Sequence, residues 1–189
     1  MIILITGKSG SGKTFIANKL ADFFDAKVLS LDEISHNVLN DCDVKDKIKS
    51  YFGDAVFYNN STLNRKKLGE IVFNDKQKLE YLNNLTQTKM ENIIDDIINN
   101  NEDKNFILEY ALLPKMKYFN LKNCKILIKS NKNTRKNRIL TRDNISNEYF
   151  EAREKNSLEY DESLFDLIIE NNGNLNFENI TNQIKEILC

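Results

Sequence analysis

The residues best suited to chemistry stand near the start of the chain: Gly7, Gly10 and Gly12 interleaved with Lys8, Ser9 and Ser11, then Lys13 and Thr14. Gly7 to Thr14 fits G-x-x-x-x-G-K-[ST], which chance produces in roughly one chain of 150 at ordinary residue frequencies. Glycines at this spacing let backbone N–H groups turn inward as an anion nest, and a helix starting behind them adds the positive end of its dipole. Phosphate is the anion that fits. Gly7, Ser9, Gly10, Ser11 and Gly12 then cradle the phosphates of a nucleotide, Lys13 carries charge to the β- and γ-phosphates, and the Thr14 hydroxyl supplies one ligand to Mg²⁺.

Such a nest needs a strand in front and a helix behind. Ile2 to Ile5 are an apolar run, and Ile16, Leu20, Phe23 and Phe24 follow at helical spacing. Further strands are expected at Lys27–Leu31, Phe106–Tyr110, Cys124–Lys129 and Phe165–Ile169, and an amphipathic helix at Phe177–Leu188. Parallel α/β sheets bind ligands beyond the carboxyl ends of their strands, which puts Asp32 and Glu109 on the same edge as the glycine loop. Asp32 fits either a helix N-cap or a carboxylate facing an acceptor hydroxyl. Glu109 fits either a cap or an Mg²⁺ ligand, direct or through water.

Residues 43–101 carry no strand pattern but repeated helical spacing, as in Val44-Ile48-Tyr51 and Met90-Ile93-Ile94-Ile97. That exceeds what a crossover requires and predicts a helical insertion over the sheet edge, where a second substrate would sit. The resulting division is a nucleotide-binding core at 1–35 and 104–189, with a lid at about 131–160, and an acceptor-binding insertion at 36–103. Arg65, Lys66 and Lys67 fall in the first turn of a predicted helix, against its macrodipole, as if an anion were expected nearby. Arg135, Arg138 and Arg142 fall at i, i+3 and i+7, one helical stripe able to neutralise a transferring phosphoryl group and close over it. For both basic groups a solvated surface is the competing explanation.

Composition narrows the classes. The chain has 189 residues, 41% hydrophobic and 29% charged, with net charge −1. One domain with an insertion fits that length, and no overall field favours nucleic acid or an anionic membrane. No apolar run approaches the roughly 20 residues of a bilayer span. The expectation is a cytoplasmic protein acting on small molecules, with a monomer favoured. Cys42, Cys124 and Cys189 lack metal spacing and read as reduced thiols, with Cys124 buried at a strand start; with the single His36 they build no structural metal site. A switch GTPase is excluded: Asn131-Lys132-Asn133-Thr134 has Thr134 where the base-reading Asp must stand, and no Asp has Gly three residues later. The chain is also short for a motor or transport ATPase. A small kinase remains: an α/β P-loop kinase fold, a five-stranded parallel sheet flanked by helices, with a helical insertion and an arginine-bearing lid.

Several segments resemble one family, dephospho-CoA kinase. Asp32, Ile34 and His36 look like its D-x-I-x-H stretch, and Tyr51-Phe52-Gly53 is shared. Leu63 to Phe73 is similar to its I-D-R-x-x-L-G-x-I-V-F segment. Arg138 to Leu140, Arg142 and Asp143 match R-L-x-x-R-D, and Asp166 to Asn171 with Gly173 match A-D-x-x-I-x-N-x-G. The resemblance covers nearly the whole chain in order. It implies transfer of the γ-phosphate of ATP to the 3′-hydroxyl of dephospho-CoA. Asp32, Lys13 and Arg138 would act on the reacting groups, and Arg142 would close on ATP. His36 and Arg65 would contact the acceptor, and Thr14 and Glu109 would serve Mg²⁺. The chain departs from the family at Ala111-Leu112-Leu113-Pro114-Lys115 (family P-L-L-F-E), at Leu85-Thr86-Gln87-Thr88 (I-T-H-P) and at Ser30-Leu31-Asp32 (D-A-D). These positions belong to the acceptor side, so a kinase for another nucleotide or nucleoside, or an ATP-binding regulatory protein, stays open at this point.

Overall fold

A strand that is apolar on both faces is stable only between two layers of cover. β1 (Ile2–Thr6) is such a strand, and it lies at the centre of a five-stranded parallel sheet. The computed structural model describes residues 1–59 and 61–189. The strands β2 (Ala26–Ser30), β3 (Asn105–Glu109), β4 (Cys124–Lys129) and β5 (Leu167–Glu170) complete the sheet in the order β2-β3-β1-β4-β5. The order reverses at β1, so the loop after β1 opens at the topological switch point, where parallel sheets hold ligands.

Alternate side chains of the strands enter different cores. Ile3, Ile5, Ile107 and Ile126 meet Ile16 and Leu20 of α1 (Lys13–Phe24) and Ile180 and Ile184 of α8 (Phe177–Leu188). Leu4, Phe106 and Leu108 face the other way, into a core shared with α2 (Leu31–Val38), α3 (Cys42–Phe52), α4 (Arg65–Val72) and α5 (Lys76–Asn99). The long helical segment therefore covers a sheet face as well as an edge. Each fully buried Leu or Ile here contributes roughly 1.5–3 kcal/mol relative to exposure. α6 (Lys132–Asp143) and α7 (Asn147–Lys155) follow β4. Asp41, Asn64, Asp75, Asn131, Ser146 and Asn176 accept N–H groups at the first turns of six helices.

The expected strands are all present, most with shifted ends. β2 stops at Ser30 because Ser30 is the N-cap of α2, which moves Asp32 from the expected cap position into the first helical turn. β3 begins at Asn105, whose side chain donates to the Phe24 carbonyl at 2.9 Å. β5 begins after Asp166, whose carboxylate accepts the Lys125 N–H at 2.7 Å, while Phe165 packs edge-on against Phe119. β4 and α8 have the expected bounds, and Cys124 is buried at the head of β4. Among the described residues no helix is long and apolar enough to cross a membrane.

Candidate active site

The loop between β1 and α1 takes a path closed to other residues at two points. Gly7 has φ +151°, and a Cβ there would lie 2.2 Å from the Ile128 carbonyl oxygen; Gly12, the N-cap of α1, has φ +92°, and its Cβ would lie 2.2 Å from Asn171 Nδ2. The outer side of the loop is gripped through its carbonyls. Arg135 donates to Ser9 O at 3.4 Å, Arg138 to Gly10 O at 3.2 Å and Ser11 O at 3.4 Å, and the buried Asn171 to Ser11 O at 2.8 Å. In a planar trans peptide the following N–H points the opposite way, so holding Ser9 O and Ser11 O aims the N–H groups of Gly10 and Gly12 into the concave side. Ser11 Oγ is buried with no hydrogen-bond partner, leaving a polar hydrogen inside the same loop.

Lys13 and Thr14 open α1, and both meet Glu109 at the end of β3. Lys13 Nζ lies 3.7 Å from Glu109, and the Thr14 hydroxyl donates to it at 3.1 Å. Burial pulls the Lys13 ammonium below its ordinary value, opposed by the charges of Glu109 and Asp32. Burial likewise raises Glu109, opposed by Lys13 and reinforced by Asp32. A buried carboxylate beside a hydroxyl is a hard-oxygen pair, which fits an Mg²⁺ that keeps water and phosphate oxygens as its other ligands. Thr14 and Glu109 would hold it.

Asp32 is exposed on the first turn of α2, yet its charge acts on four cleft groups. Besides Lys13 and Glu109 it supplements burial in raising Tyr110, and it adds to the Asp143 bond in raising Arg142. That places Asp32 near groups of α1, β3, α6 and the residue after β3. His36, one turn further along α2, is exposed, and its carbonyl accepts Arg65 Nη2 from α4 at 2.8 Å, so these two expected acceptor residues are neighbours.

The arginine stripe does not act as one set. Arg135 points inward, buried, and forms a two-pronged pair with Glu154 of α7 at 2.6 and 2.8 Å. Arg138 lies on the glycine loop and on Asn171 O at 3.3 Å, and Arg142 chelates Asp143 at 2.5 and 2.9 Å. A helix face spans a wide arc, so i+3 and i+7 positions diverge enough for one to enter the core while the others stay at the surface. Asn131, which mimicked a base-reading residue, caps α6 by accepting Thr134 N–H at 2.8 Å.

This glycine loop with Lys13, Thr14 and Glu109 beside it is joined by a direct match. The Dephospho-CoA kinase family model covers residues 1–176. The chain belongs to the dephospho-CoA kinase family. A Dephospho-CoA kinase from Fusobacterium nucleatum is 34% identical over 177 residues, 93% of this chain and 91% of that protein. A crystal structure of a Thermus thermophilus protein superposes with TM-score 0.76 at 25% identity, covering 100% of this chain and 96% of the other. The Dephospho-CoA kinase of Campylobacter jejuni superposes with TM-score 0.59 at 27% identity, covering 99% and 94%.

Within the dephospho-CoA kinase fold, two of the departing segments prove to be in contact. Gln87 Nε2 donates to the Lys115 carbonyl at 2.8 Å and to Glu91 at 3.0 Å, and Glu91 accepts the Lys117 N–H at 3.1 Å. The changed residues of α5 thus brace the changed segment after β3. Three further participants were not singled out as site residues: Asn171, Glu154 and Tyr160, whose hydroxyl donates to the Ala111 carbonyl at 2.7 Å. Asn171 stood in a matched motif without a role. The other two carry no local signal, because their partners lie far along the chain.

Proposed function

We propose that this chain transfers the γ-phosphate of ATP to the 3′-hydroxyl of dephospho-CoA, the closing step of coenzyme A synthesis, with Asp32 receiving the acceptor proton. The observation that carries the assignment of roles is the placement of Asp32 within electrostatic reach of Lys13, Glu109 and Arg142. The acceptor oxygen attacks the γ-phosphorus, the bond from phosphorus to the β-bridging oxygen breaks, ADP leaves, and the hydroxyl proton passes to Asp32. The transition state is loose, so positioning and charge stabilisation outweigh base strength. The amides of the glycine loop orient the phosphates, Lys13 moves from Glu109 to the β- and γ-oxygens, and Arg138, beside the loop, meets the transferring group. Thr14 and Glu109 would hold Mg²⁺, which would supply positive charge against the phosphate oxygens. Arg142 exchanges Asp143 for ATP as α6 and α7 close. His36 and Arg65 hold the acceptor, with α2 to α5 forming its side of the cleft, and soluble nucleotide substrates suit a cytoplasmic enzyme.

The test is to incubate the chain with Mg-ATP and a panel of dephospho-CoA, AMP and nucleosides, then locate the new phosphate by ³¹P NMR. A 3′-phosphate on dephospho-CoA is expected. Transfer only to a nucleoside or monophosphate, or to nothing, overturns the assignment.

A further inference from the structure

Arg135 is one of few buried charged side chains, and its donors are divided between two tasks. Two guanidinium nitrogens clamp Glu154 of α7 at 2.6 and 2.8 Å. The same Nη1 reaches Ser9 O in the glycine loop at 3.4 Å, and Nε holds Ser130 O, just beyond β4, at 3.2 Å. The clamp has an outer rim: Lys8 lies 3.7 Å from Glu154 and 2.5 Å from Glu159, and Arg153 donates to Ser9 Oγ at 3.2 Å. The backbone of α6 leaves no slack either, since a Cβ on Gly10 would lie 2.8 Å from Arg135 O.

We infer that the Arg135–Glu154 pair is a positioning device for nucleotide binding: it holds the Ser9 carbonyl so that the Gly10 amide faces the phosphates. This rests on the kinase reading only in taking the phosphates to be those of ATP. Guanidinium is required because a planar fork bridges a carboxylate and a carbonyl at once, whereas a lysine ammonium presents a point charge. Glu154 is required because a buried guanidinium without its partner would turn toward another acceptor and release Ser9. Bound Arg138 and Asn171 do the same for Ser11, so the loop is held at two places by separate elements.

The experiment measures the dissociation constant of Mg-ATP in the absence of acceptor, and KM for both substrates, for Arg135→Lys, Arg135→Gln and Glu154→Gln. A weakening of ATP binding of about tenfold is expected in all three, with KM for dephospho-CoA within about twofold of wild type. In the ¹H–¹⁵N spectrum the Gly10 amide signal should move before any nucleotide is added. If ATP affinity stays within twofold while melting temperature falls, the pair is only structural and the inference is overturned; Arg135→Lys is the variant chosen to remain folded. Because ATP binding is measured without acceptor, absent transfer to dephospho-CoA would overturn the kinase assignment and leave this result standing.

Discussion

Around Gly7 to Thr14 the chain is held from behind by Arg135 and Arg138 of α6, Arg153 and Glu154 of α7 and Asn171 just beyond β5, whereas Asp32, His36 and Arg65 stand exposed on the surfaces of α2 and α4. The two regions are built differently. The phosphate side is backbone, and a backbone conformation with left-handed glycines persists only where its surroundings impose it. The expected acceptor residues are exposed side chains on α2 and α4, with Arg65 joined to the His36 carbonyl. A substitution on the first side disturbs geometry and stability together. A substitution among the exposed residues of α2 and α4 should change chemistry while the fold stands.

The sharpest way to break this comparison is Lys13→Met. It should lower turnover about 10²–10³-fold, as loss of a transition-state donor does, and leave Glu109 buried without its cation. A coupled ADP-release assay and a thermal melt measure both; near-normal turnover would remove Lys13 from the reacting group. Asp32→Asn comes next, with turnover down about 10²-fold or more, while ATP affinity and melting temperature hold. A melting temperature that fell with it would mean the two sides are not separable. Arg65→Ala should raise KM for dephospho-CoA about tenfold, the worth of one charge-assisted contact, without changing KM for ATP. A change in the ATP value instead would move Arg65 to the other side.

The smallest effect is a pH dependence. The Arg135 bond holds the Glu154 carboxyl below its ordinary value of 4.5. A depressed carboxylate stabilises the folded chain above its unfolded pKa and loses that contribution as pH falls through the folded pKa. Glu154→Gln should therefore melt below wild type at pH 7 by about 1 kcal/mol, or roughly 2–4 °C. That gap should narrow progressively below about pH 4.5. A gap unchanged between pH 7 and pH 3 would mean that the Glu154 charge is not what stabilises the pair.

Much of this was legible in the order of residues. The apolar runs mark five strands because strands apolar on both faces have no other place to go, and the glycine-lysine-threonine loop announces an anion because few other backbones can follow that path. Strand ends were misjudged by one or two residues where a single side chain decided them, as Asn105 and Asp166 do. Equal helical spacing suggested a common duty for Arg135, Arg138 and Arg142, and packing gave them three different ones.

What the amino-acid sequence determined by itself is local: the glycine loop and the strand and helix periods, all set by interactions within a few positions. The tertiary structure alone decided that Arg135 turns inward to Glu154 and that Asn171 props up Ser11, 160 residues before it. Contacts between distant segments have no period to betray them. They arise only once burial has brought the strands together and left each charge to find its partner.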